Sequence, residues 1–314
     1  MNKSKKGYVP VMLTPFLESN GEVDYDGLTR LTELYLESGV SGLFANCLSS
    51  EMFELSDEER MQVVKHVVKV TNGAVPIVAA GTFGGTANEQ ADFIKRMNDT
   101  GTEAVVIITG MMATEEESDK ILDDRIFQLM ELTEDVQLGL YECPVPYKRI
   151  ISANQLKQFV ATNRMIYLKD TSLDIEQVKA KLESVKGHKF GLYDAYAAHA
   201  VESLKAGSAG LSCIQGNFFP ELIVWLCNNY DNDILKNEVE KVQQLLIDNM
   251  DVVHHVYPII AKYFLQKRGV NISTFTRRKV GEFTPDTRMK VDKLYTDLGH
   301  LQKELELDIT GYPF

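Results

Sequence analysis

Eight short apolar runs recur along the chain, at residues 8–13, 42–46, 76–81, 104–109, 137–142, 165–170, 189–194 and 209–214. Each has strand length and is rich in Val, Ile, Leu or aromatics, the pattern of strands buried on both faces. Helical periodicity fills the gaps. Leu122, Ile126, Leu129 and Met130 line one helix face, as do Ile175, Val178, Leu182 and Val185. The pairs Ser56…Glu59, Thr86…Glu89, Thr114…Glu117 and Ser152…Gln155 match the capping box, in which two side chains satisfy the free amides at a helix start. Gly39, Gly73, Gly101, Gly187 and Gly207 fall where helices should end in a left-handed turn. Eight strand–helix units in roughly 230 residues predict a (β/α)8 TIM barrel of the α/β class. The competing fold, an open doubly wound sheet, usually begins with a glycine-rich first turn. Here that turn reads Thr14-Pro15-Phe16. Beyond the eighth run only helical patterns follow, through Val239, Val242, Leu246, Met250 and Val253 to Leu298 and Leu301. They predict the last barrel helix and then a helical C-terminal extension, with the barrel over 1–230 and the extension over 231–314.

Composition excludes several classes. Acidic residues outnumber basic ones, 45 to 33, for a formal charge of −12, which opposes nucleic-acid binding because neutralising phosphates needs a basic surface. No apolar run approaches the ~20 residues that span a bilayer. The charged start, Met1-Asn2-Lys3-Ser4-Lys5-Lys6, is not followed by a signal-peptide apolar stretch. Cys47, Cys143, Cys213 and Cys227 form no close C-x-x-C pair, so neither a disulfide framework nor a zinc cage is expected. His254-His255 is the only histidine pair and has no ligand-like spacing to barrel-loop carboxylates. The expectation is a cytoplasmic protein with no metal and no other cofactor.

Active sites of such barrels lie at the C-terminal ends of the strands. The fifth run ends Leu140-Tyr141-Glu142 and the sixth Tyr167-Leu168-Lys169-Asp170. A lysine closing an apolar strand must be paired or desolvated, and desolvation lowers its pKa. A neutral amine is the nucleophile that forms a Schiff base with a carbonyl. The plainer alternative is a structural ion pair of Lys169 with Asp170 or another carboxylate. Tyr141 is either a core tyrosine with its hydroxyl at the rim or a proton carrier. The turn Cys47-Leu48-Ser49-Ser50-Glu51 offers hydroxyls and amides to a carboxylate, or is an ordinary polar turn.

These residues together resemble the dihydrodipicolinate synthase / N-acetylneuraminate lyase family of class I aldolases, over nearly the whole chain. The family's G-[ST]-T-G-E turn is matched loosely by Cys47-Leu48-Ser49-Ser50-Glu51, followed by Leu55-Ser56-Asp57-Glu58-Glu59. Its Y-N-x-P strand end appears as Tyr141-Glu142-Cys143-Pro144, and its lysine motif as Leu168-Lys169-Asp170-Thr171-Ser172, with the tyrosine and lysine 28 positions apart. The segment 206–211 with Asn217 and Pro220-Glu221 resembles the family's eighth strand and following turn. The resemblance implies that Lys169 condenses with the ketone of pyruvate or a related 2-oxo acid and that Tyr141 shuttles the proton. Ser49, with the amides of Ser49 and Ser50, would hold the substrate carboxylate. It also implies a homo-oligomer, a tetramer built from dimers.

Departures from the family pattern narrow the reading. The threonine of the family's hydroxyl relay is replaced by Leu48, and the loop that lends a tyrosine reads Gly110-Met111-Met112-Ala113. Pro146 stands where the synthase has an arginine for its aldehyde partner; Lys148 and Arg149 lie nearby. The expected function is therefore a Schiff-base aldolase or lyase on a 2-oxo acid that is not an efficient dihydrodipicolinate synthase. The alternatives are a dehydratase of a 3-deoxy-2-oxo sugar acid and a non-catalytic 2-oxo acid binding protein. A phosphate-substrate barrel ranks low, because Asp194-Ala195-Tyr196 and Gln215-Gly216-Asn217 are poor in glycine.

Overall fold

Every one of the eight apolar runs forms a parallel strand, and a helix follows each. The computed structural model describes residues 6–307; the start of the charged N-terminal segment discussed above lies outside them. The order is β1 (Gly7–Tyr8), α1 (Tyr25–Glu37), β2 (Leu43–Asn46), α2 (Asp57–Thr71), β3 (Ile77–Ala80), α3 (Ala87–Asn98), β4 (Ala104–Ile108) and α4 (Asp119–Leu132). It continues with β5 (Leu138–Tyr141), α5 (Ala153–Val160), β6 (Met165–Asp170), α6 (Ile175–Ser184), β7 (Gly191–Asp194), α7 (Ala200–Ala206), β8 (Gly210–Leu211) and α8 (Pro220–Asn229). The sheet runs β1-β8-β7-β6-β5-β4-β3-β2. A parallel bridge between Val11 and Phe44 closes it between β1 and β2. The hydrogen bonds Phe44 N to Pro10 O (2.9 Å) and Met12 N to Phe44 O (3.1 Å) flank that bridge. The first and eighth runs are shorter as ladder strands than their apolar length predicts. The chain past Tyr8 stays buried but touches its neighbour mainly through the single bridge.

Three of the four expected capping boxes form at helix starts, at Ser56, Thr86 and Ser152. The fourth does not start its helix. Glu117 accepts the Thr114 amide at 2.8 Å and pairs with Arg125, while α4 begins only after Ser118. The box therefore shapes a turn ahead of the helix. The helix covering β8 is α8, upstream of the 239–253 periodicity, which instead forms α9 (Lys236–Asp248) and α10 (Met250–His254). Two further helices, α11 (Ile259–Lys267) and α12 (Pro285–Glu304), follow.

Strand alternation sorts the apolar residues into two sets. Val11, Phe44, Val106, Tyr141 and Tyr167 belong to an interior cluster; Leu43, Ile107, Leu140 and Leu168 belong to the larger cluster shared with the helices. A barrel filled by side chains is a packed core whose reactive groups can appear only where the strands end.

Candidate active site

β5 and β6 are paired in parallel with Tyr141 opposite Lys169. Both side chains belong on the interior face, and Glu142 and Asp170, one residue on, turn outward. Lys169 Nζ lies 3.3 Å from Tyr141 Oη and 4.4 Å from the centre of that ring. Lys169 is only 4% exposed, and among the described residues it makes no ion pair with a carboxylate. Burial lowers its pKa from the ordinary lysine value, partly opposed by the thiols of Cys47, Cys143 and Cys213. Burial pushes the Tyr141 phenol well above its ordinary value, so it stays protonated at neutral pH. The pair is thus a desolvated amine beside a neutral phenol.

Asp170 does not pair with Lys169. Its outward carboxylate meets Lys181 of α6 at 2.6 Å, and Glu142 meets the same ammonium at 2.6 Å. Asp174 caps the start of α6 through the amides of Glu176 and Gln177, which sets the helix that carries Lys181. Glu142 also accepts the Ile151 amide at 3.0 Å and the Thr171 amide at 2.9 Å, tying the segments after β5 and β6 together.

Ser49 and Ser50 sit in a short 3-10 turn, 48–50, at the end of β2. Glu51 follows it in the left-handed region, with φ at 58°. The Glu51 carboxylate is buried against Lys262 of α11 at 3.0 Å and accepts the amides of Arg277 and Arg278 at 2.7 and 2.9 Å. The C-terminal region therefore holds this turn in place. The Ser50 hydroxyl lies 2.8 Å from the Met12 carbonyl and 3.1 Å from that of Ala45, and accepts the Cys47 amide at 3.0 Å. The Ser50 amide donates to the Cys47 carbonyl at 3.0 Å. The Ser49 hydroxyl instead accepts from Tyr257 at 2.8 Å. Tyr257 lies between α10 and α11 and is a neighbour of Tyr141 in the electrostatics of the site. Sequence reasoning missed it. Nothing in its neighbourhood separates it from a break in the helical pattern before Pro258.

The other candidates have partners or surroundings of their own. Arg149 spends its guanidinium on the Thr114 and Glu117 carbonyls and on Asp119, beside the β4–α4 loop. Lys148 donates to the Thr171 carbonyl at 2.8 Å. Leu48 joins the interior apolar cluster and Met112 is buried. The turn after β7 is occupied by its own carboxylate: Asp194 accepts the Tyr196 amide at 2.9 Å and faces His199 at 2.8 Å. A negative group there suits no phosphate. His254 and His255 are exposed on and after α10. The four cysteines are buried and free. Among the described residues no cluster of three His, Cys, Asp or Glu side chains could hold a metal, and no helix is long and apolar enough to cross a membrane.

The sequence model of the dihydrodipicolinate synthetase family matches residues 4–298. A 4-hydroxy-tetrahydrodipicolinate synthase of Staphylococcus epidermidis is 26% identical over 246 residues, covering 77% of this chain and 80% of the relative. The dihydrodipicolinate synthase of Acinetobacter baumannii, solved with pyruvate, superposes with a TM-score of 0.82 at 22% identity, covering 94% of this chain and 99% of that one. YagE of Escherichia coli K12, also solved with pyruvate, gives 0.81 at 22% identity, covering 95% and 98%.

Proposed function

The chain belongs to the dihydrodipicolinate synthetase family, an enzyme family of Schiff-base, pyruvate-dependent aldolase type, and on that premise we propose that Lys169 is the Schiff-base lysine of a class I aldolase or lyase acting on pyruvate or another 2-oxo acid. One observation carries the reading. Lys169 is buried inside the barrel end with no carboxylate partner among the described residues, and a neutral phenol lies 3.3 Å from its amine. Desolvation raises the neutral fraction of the amine, which attacks the ketone carbon. The carbinolamine oxygen leaves as water, taking a proton that Tyr141 relays, and Lys169 is left as an iminium. That cation draws electrons from C3, so removing a C3 proton or breaking a C3–C4 bond gives an enamine. Ser49, through its hydroxyl and its amide, holds the substrate carboxylate at the end of β2; the Ser50 amide, expected to join it, is taken by the Cys47 carbonyl.

The second substrate differs from that of a dihydrodipicolinate synthase. Leu48 and Met112 cannot carry a proton, Pro146 carries no charge, and Arg149 is already spent on the β4–α4 loop. Losing a charge-assisted hydrogen bond costs about 1.5–3 kcal/mol, and a proton shuttle is worth about 10²–10⁴-fold. Turnover of pyruvate with aspartate semialdehyde should therefore be poor. A kcat/KM in the usual enzyme range for that pair would overturn this part. The same iminium acidifies C3 for loss of water, so the substrate screen should include 3-deoxy-2-oxo sugar acids. By family precedent we assign a homo-oligomer in the cytoplasm, which light scattering and fractionation test.

The decisive experiment is borohydride reduction in the presence of pyruvate. It should add one reduced pyruvyl group, located at Lys169 by peptide mass spectrometry. An adduct at another lysine, or none with any 2-oxo acid, refutes the reading. Exchange of the C3 deuterium of labelled pyruvate separates an enzyme from a bare binder, which would show none.

A further inference from the structure

Tyr257 reaches the barrel mouth from the C-terminal helices. It follows Val256, whose φ of 44° is a conformation that β-branched residues rarely hold. Its hydroxyl lies 2.8 Å from Ser49 Oγ and 2.5 Å from Asn217 Nδ2. Asn217 is fully buried in the turn after β8. The same Nδ2 donates to the Val11 carbonyl at 2.8 Å, and Oδ1 accepts from the Tyr35 hydroxyl at 2.6 Å.

The hydrogen-bond network gives each bond along this chain a direction. A backbone carbonyl only accepts, so the Asn217 atom facing Val11 must be the NH2 nitrogen, which settles which way the amide points. An amide NH2 only donates, so the Tyr257 oxygen accepts from it. The single phenolic proton goes to Ser49 Oγ, which makes Tyr257 the donor of that 2.8 Å bond. Having accepted there, Ser49 cannot return its own proton along that bond. Among the described residues no protein acceptor receives it.

We infer that Tyr257, oriented by Asn217, is a positioning residue that holds the Ser49 hydroxyl as a donor toward the carboxylate of the 2-oxo acid. The inference rests on the proposed function, in which Ser49 meets that carboxylate. Its content is additional: a side chain from beyond the barrel sets the polarity of the carboxylate site in advance. A donor aimed before the ligand arrives saves the cost of ordering it on binding. Tyr257 need not touch the substrate.

The test is the pyruvate dependence of borohydride trapping at Lys169 in the full chain. Tyr257→Phe should raise half-saturating pyruvate about five- to tenfold and leave the rate at saturation within twofold. Ser49→Ala should raise it at least as much. The double variant should match Ser49→Ala within twofold, because Tyr257 acts only through Ser49. If Tyr257→Phe does not fold, Asn217→Asp asks the same question. A carboxylate there takes the Tyr257 proton, Tyr257 then accepts from Ser49, and half-saturation should rise tenfold or more. An unchanged half-saturation in the folded variant, or multiplicative effects in the double variant, would overturn the inference while leaving the Schiff-base reading intact. A wild-type protein that traps no pyruvate would instead bring down that reading, and this inference with it.

Discussion

Two buried lysines stand on opposite sides of the β5–β6 pair, Lys169 at the end of β6 and Lys181 on the helix that follows it, and their surroundings are opposite. Lys169, inside the barrel end, has a phenol, thiols and apolar rings for neighbours. Lys181, on α6 outside it, is clamped by Glu142 and Asp170 at 2.6 Å each. Both are nearly inaccessible to water, yet burial lowers the pKa of the first, while the two carboxylates raise that of the second despite its burial. A buried amine becomes a nucleophile only when its neighbours decline to hold its charge. The outer triad serves this indirectly, because it occupies Asp170, the carboxylate next to Lys169 in sequence. Glu142 stays outward too, bonded to the amides that follow both strands.

The sharpest way to break this contrast is to replace each lysine by methionine. Lys169→Met should abolish the pyruvate adduct and lower turnover by more than about 10³-fold. Because only the hydrogen bond to the Tyr141 hydroxyl is lost and no charge is orphaned, urea unfolding should show a loss of stability no greater than about 1.5 kcal/mol. A large loss would mean that Lys169 is structural. Lys181→Met should do the reverse, costing about 3–5 kcal/mol because two carboxylates stay buried without a cation. That deficit should shrink as the pH is lowered from 8 to 5 and the carboxylates take up protons. A deficit independent of pH would contradict the assignment.

Smaller effects sharpen the comparison. Tyr141→Phe should slow adduct formation about 100-fold without moving it from Lys169, measured by quenched-flow trapping. An unaltered rate would remove Tyr141 from the proton path. The smallest effect is one of slope. Burial and the neighbouring Asp170 raise Glu142 from 4.5 to about 7, against the pull of Lys181. The folded state therefore binds this proton more tightly than the unfolded chain. Its contribution is complete below pH 4.5 and is lost as the pH rises toward 7, at no more than about 1.4 kcal/mol per pH unit. Glu142→Gln should flatten that part of the pH–stability curve. Parallel curves for the two proteins would count against it.

The barrel was legible because its signals are local. Strand-length apolar runs, helical faces and capping pairs each act within a few residues, and eight repetitions leave few folds open. Where a local signal had a competitor it misled: Glu117 serves Arg125 and a turn, so Thr114 begins no helix. The 239–253 periodicity is truly helical, but no local rule says which of two successive helices covers the last strand. Tyr141 and Lys169 were also readable, because a polar residue ending an apolar strand is conspicuous and parallel register does the rest.

Long-range partners were not readable. From sequence, Asp170 was the obvious mate for Lys169; strand alternation alone sends them to opposite faces, but only the packing of α6 supplies Lys181 as the substitute. Tyr257 stands 208 positions from the serine it bonds, and neither residue carries a mark of the other. Sequence by itself determined the elements, their order and the presence of Tyr141 and Lys169 at adjacent strand ends, because those depend on period and position along one strand. The tertiary structure alone decided which charges neutralise each other and which hydroxyl is aimed. Both depend on distances of a few ångströms between segments that the chain separates by tens to hundreds of residues.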